Sequence, residues 1–169
     1  MVTKTLPPDP LDDGGIAAFG ARLRGGKTTA EAATQAYLGR IEALEPRIGA
    51  FEHVAGGSAL DTARALDGLL AAGTDLGPLM GVPVAIKDIL AVDGMPTTAG
   101  SNLDVAELIG GEGSFVKSLK QAGCVILGKV KTSELAAGGT GVNYVRGTPW
   151  NPWDAETQRE PSGSSSGSG

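Results

Sequence analysis

The sequence predicts an α/β fold in which a mixed or parallel sheet is flanked by helices. Two short apolar runs, residues 82–86 and 124–127, have the length and composition of buried strands. A loop and a helical segment near Ser114–Gln121 lie between them. Because a β-loop-α-β unit connects strands that run in the same direction, we expect these two strands to be parallel.

Two amphipathic helices are predicted ahead of the first strand. The first begins at a capping box, in which the Thr28 hydroxyl accepts a hydrogen bond from an unpaired first-turn amide and the Glu31 side chain accepts from the amide of Thr28. We expect Pro46 to end this helix. The second begins near Ser58 and ends at Gly73. Their alanine and leucine stripes are typical of packing against a neighbouring layer. These elements belong to the helical layer of the predicted fold.

Composition excludes several function classes. The net charge is −5 and no Lys/Arg cluster is present, so we expect no direct binding to nucleic acid or to an anionic membrane. No secretory signal and no run of about 18 apolar residues is visible, which predicts a cytoplasmic protein. Residues 1–15 contain three prolines and three aspartates before any sustained apolar periodicity, which predicts a loose N-terminal arm.

The sequence contains one cysteine and one histidine. Cys124 lies in an apolar run, which predicts a buried, unreactive thiol. His53 has no serine or cysteine signature near it, so we expect a structural histidine rather than a member of a Ser-His-Asp triad. A His/Cys zinc site would lack ligands, and we therefore expect no metal.

Lys87 is the most unusual charge in the chain, because it ends a strand whose other side chains are apolar or proline. The ends of buried parallel strands are where α/β proteins place ligands, and desolvation there favours a neutral amine that can accept a proton. Two alternatives remain open at this point: Lys87 pairs with Asp88, or its ammonium extends to solvent.

A Ser/Gly run, residues 161–169, is the second candidate element. Its glycines permit close backbone approach, and adjacent hydroxyls can relay protons or bind an oxyanion. A flexible linker has the same composition.

Several motifs in one fixed order decide between these interpretations. They are GPLMGVPVAIKD (residues 77–88), TTAGS (97–101), AGCVILGK (122–129), the region of Glu134, and NPWD (151–154) before PSGSSSGSG. Together they resemble the amidase signature family, from roughly Ala30 to the end of the sequence. Three positions depart from the family's pattern: Ser162 where glycine is usual, Glu160 where an apolar residue is common, and Val130 where threonine is usual.

The resemblance implies a Ser-cisSer-Lys catalytic set on a large α/β domain. Lys87 matches the family's lysine, and Ser164 matches the serine that follows a non-proline cis peptide bond. The family's nucleophilic serine and oxyanion loop have no counterpart up to Gly169. We therefore expect residues 16–169 to be the N-terminal portion of a single amidase domain, truncated before the nucleophile and inactive by itself.

The resemblance also implies an activity for the full-length protein: hydrolysis of the C–N bond of a small carboxamide, without metal or organic cofactor. One alternative is the glutaminase subunit of the glutamyl-tRNA amidotransferase, which releases ammonia from glutamine within a complex of partner subunits. A homodimer is a further possible assembly. A second alternative, from another class, is a non-catalytic α/β fragment or pseudoenzyme.

Overall fold

A computed structural model describes residues 6–154 and 156–168 of the chain. Its helices and strands, in chain order, are α1 Gly15–Arg24, α2 Ala30–Ile48, β1 Phe51–Val54, α3 Gly56–Ala71, β2 Pro83–Lys87, α4 Ala106–Ile109, α5 Ser114–Gln121 and β3 Val125–Val130. Short 3-10 turns follow at Glu134–Ala136 and Ser166–Ser168. None of the helices in the described part of the chain combines the length and the apolar content needed to cross a membrane.

The three strands form one mixed sheet in the order β1-β3-β2. The central strand, β3, is buried at every position, as expected for a strand covered on both faces. Its neighbour β2 runs parallel to it, since the Val125 amide donates to Val82 O at one end and the Asp88 amide donates to Val130 O at the other. The parallel pair predicted from the two apolar runs is thus confirmed.

The sequence analysis did not predict β1, which pairs antiparallel with β3 and places Phe51 opposite Val130. A side chain at Gly128 would put its Cβ atom 2.1 Å from His53 O, so glycine is required for the strands to approach this closely. His53 is half-buried within β1. Four residues are too few to show an alternating pattern, which is why β1 escaped detection.

The N-terminus of α2 is capped differently from the prediction. The Thr29 hydroxyl accepts a hydrogen bond from an amide in the first turn, and the carboxylate of Asp67 in α3 accepts from the amides of Ala30 and Glu31. The predicted box of Thr28 and Glu31 is therefore wrong. A carboxylate from another helix, which local sequence does not reveal, satisfies the orphan donors instead.

The C-terminus of α2 also differs, because the helix continues past Pro46 to Ile48. Proline in the last turn removes only one of the final intrahelical hydrogen bonds. Gly49, at φ 62°, then ends the helix and donates its amide to Glu45 O.

Part of the predicted N-terminal arm contacts the helices. Arg40 donates to Pro7 O, and the Tyr37 hydroxyl donates to Asp9 Oδ1 at 2.5 Å. This hydrogen bond lowers the pKa of Asp9, while burial raises the pKa of Tyr37. Residues 7–9 are thus tied to α2, and residues 1–5 lie outside the described residues.

The described residues divide into two compact units. The first comprises residues 6–43, 55–84 and 117–127, and the second comprises residues 44–54, 85–116 and 128–168. Buried apolar side chains in the first unit include Phe19, Leu23, Ala30, Ala33, Ala59, Ala63, Leu66, Met80, Val82, Val125 and Leu127. The second unit contains both residues singled out as candidate catalytic groups, Lys87 and Ser164.

Candidate active site

Lys87 and Ser164 meet in the structure, although 77 positions separate them in sequence. Lys87 is the last residue of β2, and its Nζ donates a hydrogen bond of 2.5 Å to Ser164 Oγ. Both residues are half-buried. The Gly163–Ser164 peptide bond is cis. A lysine and a hydroxyl in direct contact form a pair that can pass a proton.

Asp88 does not pair with Lys87. Instead, Lys129 Nζ of β3 lies 2.9 Å from Asp88 Oδ1, and both side chains are fully buried. Successive residues of a strand point to opposite faces of the sheet, which separates the side chains of Lys87 and Asp88. The alternative in which Asp88 holds the Lys87 ammonium is therefore wrong.

The buried Asp88–Lys129 pair is also hydrogen-bonded to the loop that follows β2. The Asp88 carboxylate accepts from the amide and the hydroxyl of Thr98, and Lys129 Nζ donates to Pro96 O and to Thr97 Oγ1. Buried charges persist only where partners of this kind compensate them. The pair thus fixes the TTAGS loop against the ends of both strands.

Close backbone packing surrounds the segment that carries Ser164. A Cβ atom at Gly163 would lie 2.5 Å from the Gly141 amide nitrogen, and one at Gly141 would lie 2.0 Å from Ser162 O. Ser162 has φ 76°, a left-handed conformation that glycine adopts without strain. This geometry gives the physical reason why the departure at Ser162 is unfavourable.

Two backbone hydrogen bonds also hold the segment that carries Ser164. The Ser133 amide donates to Ser164 O at 2.9 Å, and the Gly167 amide donates to Lys131 O at 3.0 Å. Ser133 and Lys131 follow shortly after β3, so the end of the central strand positions the Ser/Gly run. The run is therefore packed into the second unit rather than extended as a linker.

The Glu134 region and the TTAGS motif are also brought together. Ser101 is 2% exposed, and its hydroxyl donates to Glu134 Oε1 at 2.8 Å. The amide of Leu135 donates to Ala99 O. These contacts join two motifs whose order along the chain is visible in the sequence but whose contact is not.

The NPWD motif forms a turn. Asn151 Oδ1 accepts from the Trp153 amide, and Trp150 Nε1 donates to Asp154 O. Hydrogen bonds from two backbone amides that follow the turn, and from a nearby arginine, lower the pKa of Asp154. The Asn151 side-chain amide donates to Glu160 O, which ties the turn to the residue before the Ser/Gly run.

A second polar region in the same unit surrounds Arg146. A cavity of about 350 Å³ there is lined by Phe51, Glu52, Asn102, Lys131, Val145 and Arg146. The Arg146 guanidinium donates to Glu52 Oε1 twice, and this contact raises the pKa of Arg146. Neither Lys87 nor Ser164 lines this cavity.

The single cysteine lies in the first compact unit, whereas Lys87 and Ser164 lie in the second. Cys124 is a buried free thiol, as predicted, and burial raises its pKa. Among residues 6–154 and 156–168, no group of three His, Cys, Asp or Glu side chains is arranged to hold a metal ion.

Comparison with known proteins identifies the class. The model of the Amidase family matches residues 32–169, and the chain belongs to this amidase family. It is 47% identical over 152 residues to a glutamyl-tRNA(Gln) amidotransferase subunit of Thermobifida fusca (strain YX), an alignment that covers 90% of the chain and 30% of that protein. It is 42% identical over 154 residues to the 2-amino-5-chloromuconic acid deaminase of Comamonas testosteroni, covering 91% of the chain and 33% of that protein.

Solved structures give the same class. Native peptide amidase from Stenotrophomonas maltophilia superposes with a TM-score of 0.81 at 34% identity, covering 95% of the chain and 34% of the amidase. The chain thus spans about a third of the length of the proteins that it matches. The amidase signature fold expected from the motifs is confirmed.

One structurally important residue, Asn143, was missed by the sequence analysis. It is 3% exposed and bonds to backbone groups far away in sequence. Its neighbours, Val142 and Tyr144, give no periodic or motif signal. Only the folded structure reveals its contacts.

Proposed function

We propose that this chain carries the base and the proton-relaying serine of an amidase that cleaves carboxamide C–N bonds through a Ser-cisSer-Lys triad. The observation that carries the proposal is the 2.5 Å contact between Lys87 Nζ and Ser164 Oγ. Membership of the amidase family supports the reaction class.

The electrostatics of the pair support the role of Lys87 as the base. Among the described residues, its hydrogen-bond partner is a hydroxyl, and Asp88, the nearest carboxylate in sequence, is taken up by Lys129. An amine in contact with a hydroxyl is the arrangement that the proposed proton relay requires, and this supports the role of Lys87 as the base.

In the proposed reaction, a serine outside residues 1–169 attacks the amide carbonyl. Its proton passes to Ser164 Oγ while the Ser164 proton passes to Lys87 Nζ. The tetrahedral intermediate then collapses, the C–N bond breaks, and the proton returns through Ser164 to the leaving amine. Water hydrolyses the resulting acyl-enzyme by the same relay.

The decisive experiment compares Lys87→Ala with Lys117→Ala in the protein encoded by the complete gene. Lys117 is an exposed lysine of α5 and serves as the matched control. Loss of a general base lowers kcat by about 10²–10⁴-fold, so Lys87→Ala should fall in that range while Lys117→Ala stays within about twofold of the parent. Equal rates of simple amide hydrolysis in the two variants would overturn the proposed role.

The chain of residues 1–169 by itself is expected to be inactive. The nucleophile and the oxyanion donors are each worth orders of magnitude in kcat, and the proposal draws both from elsewhere in the polypeptide. Purified chain 1–169 should release no ammonia from simple amides. Hydrolysis above the rate of the Lys87→Ala version of the same chain would contradict this.

A second candidate function has a specific observation in its favour. The 47% identity to a glutamyl-tRNA(Gln) amidotransferase subunit supports a glutaminase that works within a complex of partner subunits. Glutamine hydrolysis that requires those partner subunits would favour this candidate. Hydrolysis of simple amides without any partner would favour the general amidase.

A further inference from the structure

Asn143 has its complete hydrogen-bonding capacity satisfied in a buried position. Its Nδ2 donates to Gly100 O at 2.7 Å and to Thr132 O at 2.9 Å. Its Oδ1 accepts from the amides of Val145 and Arg146 at 2.8 and 2.9 Å. An asparagine side chain offers two N–H donors and one carbonyl oxygen, and all of them are used here.

The two carbonyl partners of Asn143 belong to segments that lead to the candidate active site. Thr132 directly precedes Ser133, whose amide donates to Ser164 O. On the other side, a Cβ atom at Gly100 would lie 2.7 Å from Thr132 O, so the TTAGS loop and the segment after β3 are in backbone contact. Asn143 bridges these two segments where their backbones meet.

We propose that Asn143 is a positioning residue for the Lys87–Ser164 pair, acting through Thr132 and Ser133; the proposal rests on the proposed amidase function. Without its side chain, two buried carbonyls and two amides lose their partners. The Thr132–Ser133 segment is then free to shift, and Ser164 shifts with it. A displacement of about 1 Å in a reacting group costs about 100-fold in rate.

Two variants separate the donor function of the Asn143 side chain from its acceptor function. Asn143→Ala removes all four hydrogen bonds. Asn143→Asp has nearly the same volume and keeps the acceptor for the amides of Val145 and Arg146, but it loses the donors to Gly100 O and Thr132 O. Asn102→Ala is the matched control, because Asn102 is exposed and its Oδ1 accepts from the Arg146 side chain.

The first readout is steady-state amide hydrolysis by the protein encoded by the complete gene, below the unfolding temperature of each variant. Both Asn143 variants should lower kcat by about 10- to 100-fold with KM changed by less than about threefold. Asn102→Ala should keep both constants within about threefold of the parent. A kcat within about threefold of the parent in both Asn143 variants would overturn the proposal.

The second readout does not depend on activity. Exchange of the Ser133 amide hydrogen, which the bond to Ser164 O protects, should accelerate at least about 10-fold in the Asn143 variants relative to the Val125 amide. The Val125 amide donates to Val82 O within the sheet, so its exchange reports any general loss of stability. Parallel acceleration of both amides would mean that Asn143 acts on stability alone, and would overturn the positioning role.

The two proposals fail in distinguishable ways. If the parent protein hydrolyses no amide, or if Lys87→Ala is as active as the parent, the proposed function fails. The exchange ratio of Ser133 to Val125 then still decides whether Asn143 holds the segment that contacts Ser164.

Discussion

Lys87 and Lys129 lie in neighbouring parallel strands, yet their side chains differ in burial and in hydrogen-bond partner. Lys129 is fully buried and forms an ion pair with a carboxylate. It also donates hydrogen bonds to two oxygen atoms of the TTAGS loop and the residue before it. Lys87 is half-buried and faces a serine hydroxyl. The buried ion pair of Lys129 ties parts of the fold together, whereas the contact of Lys87 with a hydroxyl is the arrangement that the proposed proton relay requires.

The largest expected effect concerns stability. Lys129→Met leaves Asp88 buried without its cation and should lower the free energy of unfolding by about 3–5 kcal/mol. Lys87→Met leaves only a half-buried hydroxyl without its donor and should cost less than about 1 kcal/mol. Chemical denaturation of both variants measures the difference. Similar losses for the two lysines would break the comparison.

Amine labelling of the folded protein sharpens the comparison kinetically. Acylation should modify Lys87 at least about 10-fold faster than Lys129, because Lys129 reacts only when the strand ends open locally. Mass spectrometry of the digested protein gives both rates, with the exposed Lys117 as the upper reference. Equal rates at Lys87 and Lys129 would show that the buried pair opens readily.

A substitution at Ser162 tests whether the segment that carries Ser164, the partner of Lys87, is strained, and it leaves Lys129 unchanged. Ser162 has φ 76°, so Ser162→Gly should raise the free energy of unfolding by about 1 kcal/mol. Ser165→Gly is the control with the opposite expected sign, because glycine there only adds freedom to the unfolded chain. Denaturant midpoints decide the matter, and destabilisation by Ser162→Gly would refute the strain at this position.

The smallest expected effect concerns Asp9, a carboxylate whose partner, the Tyr37 hydroxyl, is uncharged. The Tyr37 hydroxyl lowers the pKa of Asp9 below its usual value of 3.8. The stability from this bond is present above pH 3.8 and is lost as the pH falls through the lower folded-state pKa. Tyr37→Phe should therefore cost about 0.5 kcal/mol at pH 7 and less once the pH falls below the folded-state pKa of Asp9. A cost independent of pH would assign the effect to packing.

The sequence predicted the parts of the fold that local chemistry specifies. The apolar runs located β2 and β3, the helix predicted near Ser114–Gln121 is confirmed as α5, and Lys87 stood out because a charge ends a buried strand. These signals are visible within a few residues of chain. Ser164 entered the predicted site only through the resemblance to the amidase signature family.

What the sequence left undetermined depends on contacts across long stretches of chain. The cap of α2 comes from Asp67, and the pairing of β1 depends on Gly128. The partner of Asp88 is Lys129 rather than its neighbour in sequence. Asn143 joins residues that lie 43 and 11 positions away. No local pattern encodes such partners, because tertiary packing selects them.

The distance between Lys87 and Ser164 along the chain also has a consequence for synthesis. After Lys87, a ribosome that adds about 5–20 residues per second needs roughly 4–15 s to add the 77 residues that end with Ser164. During that interval the nascent polypeptide contains the lysine but not the serine. Ser164 therefore joins Lys87 only after the three strands of the described sheet have been made.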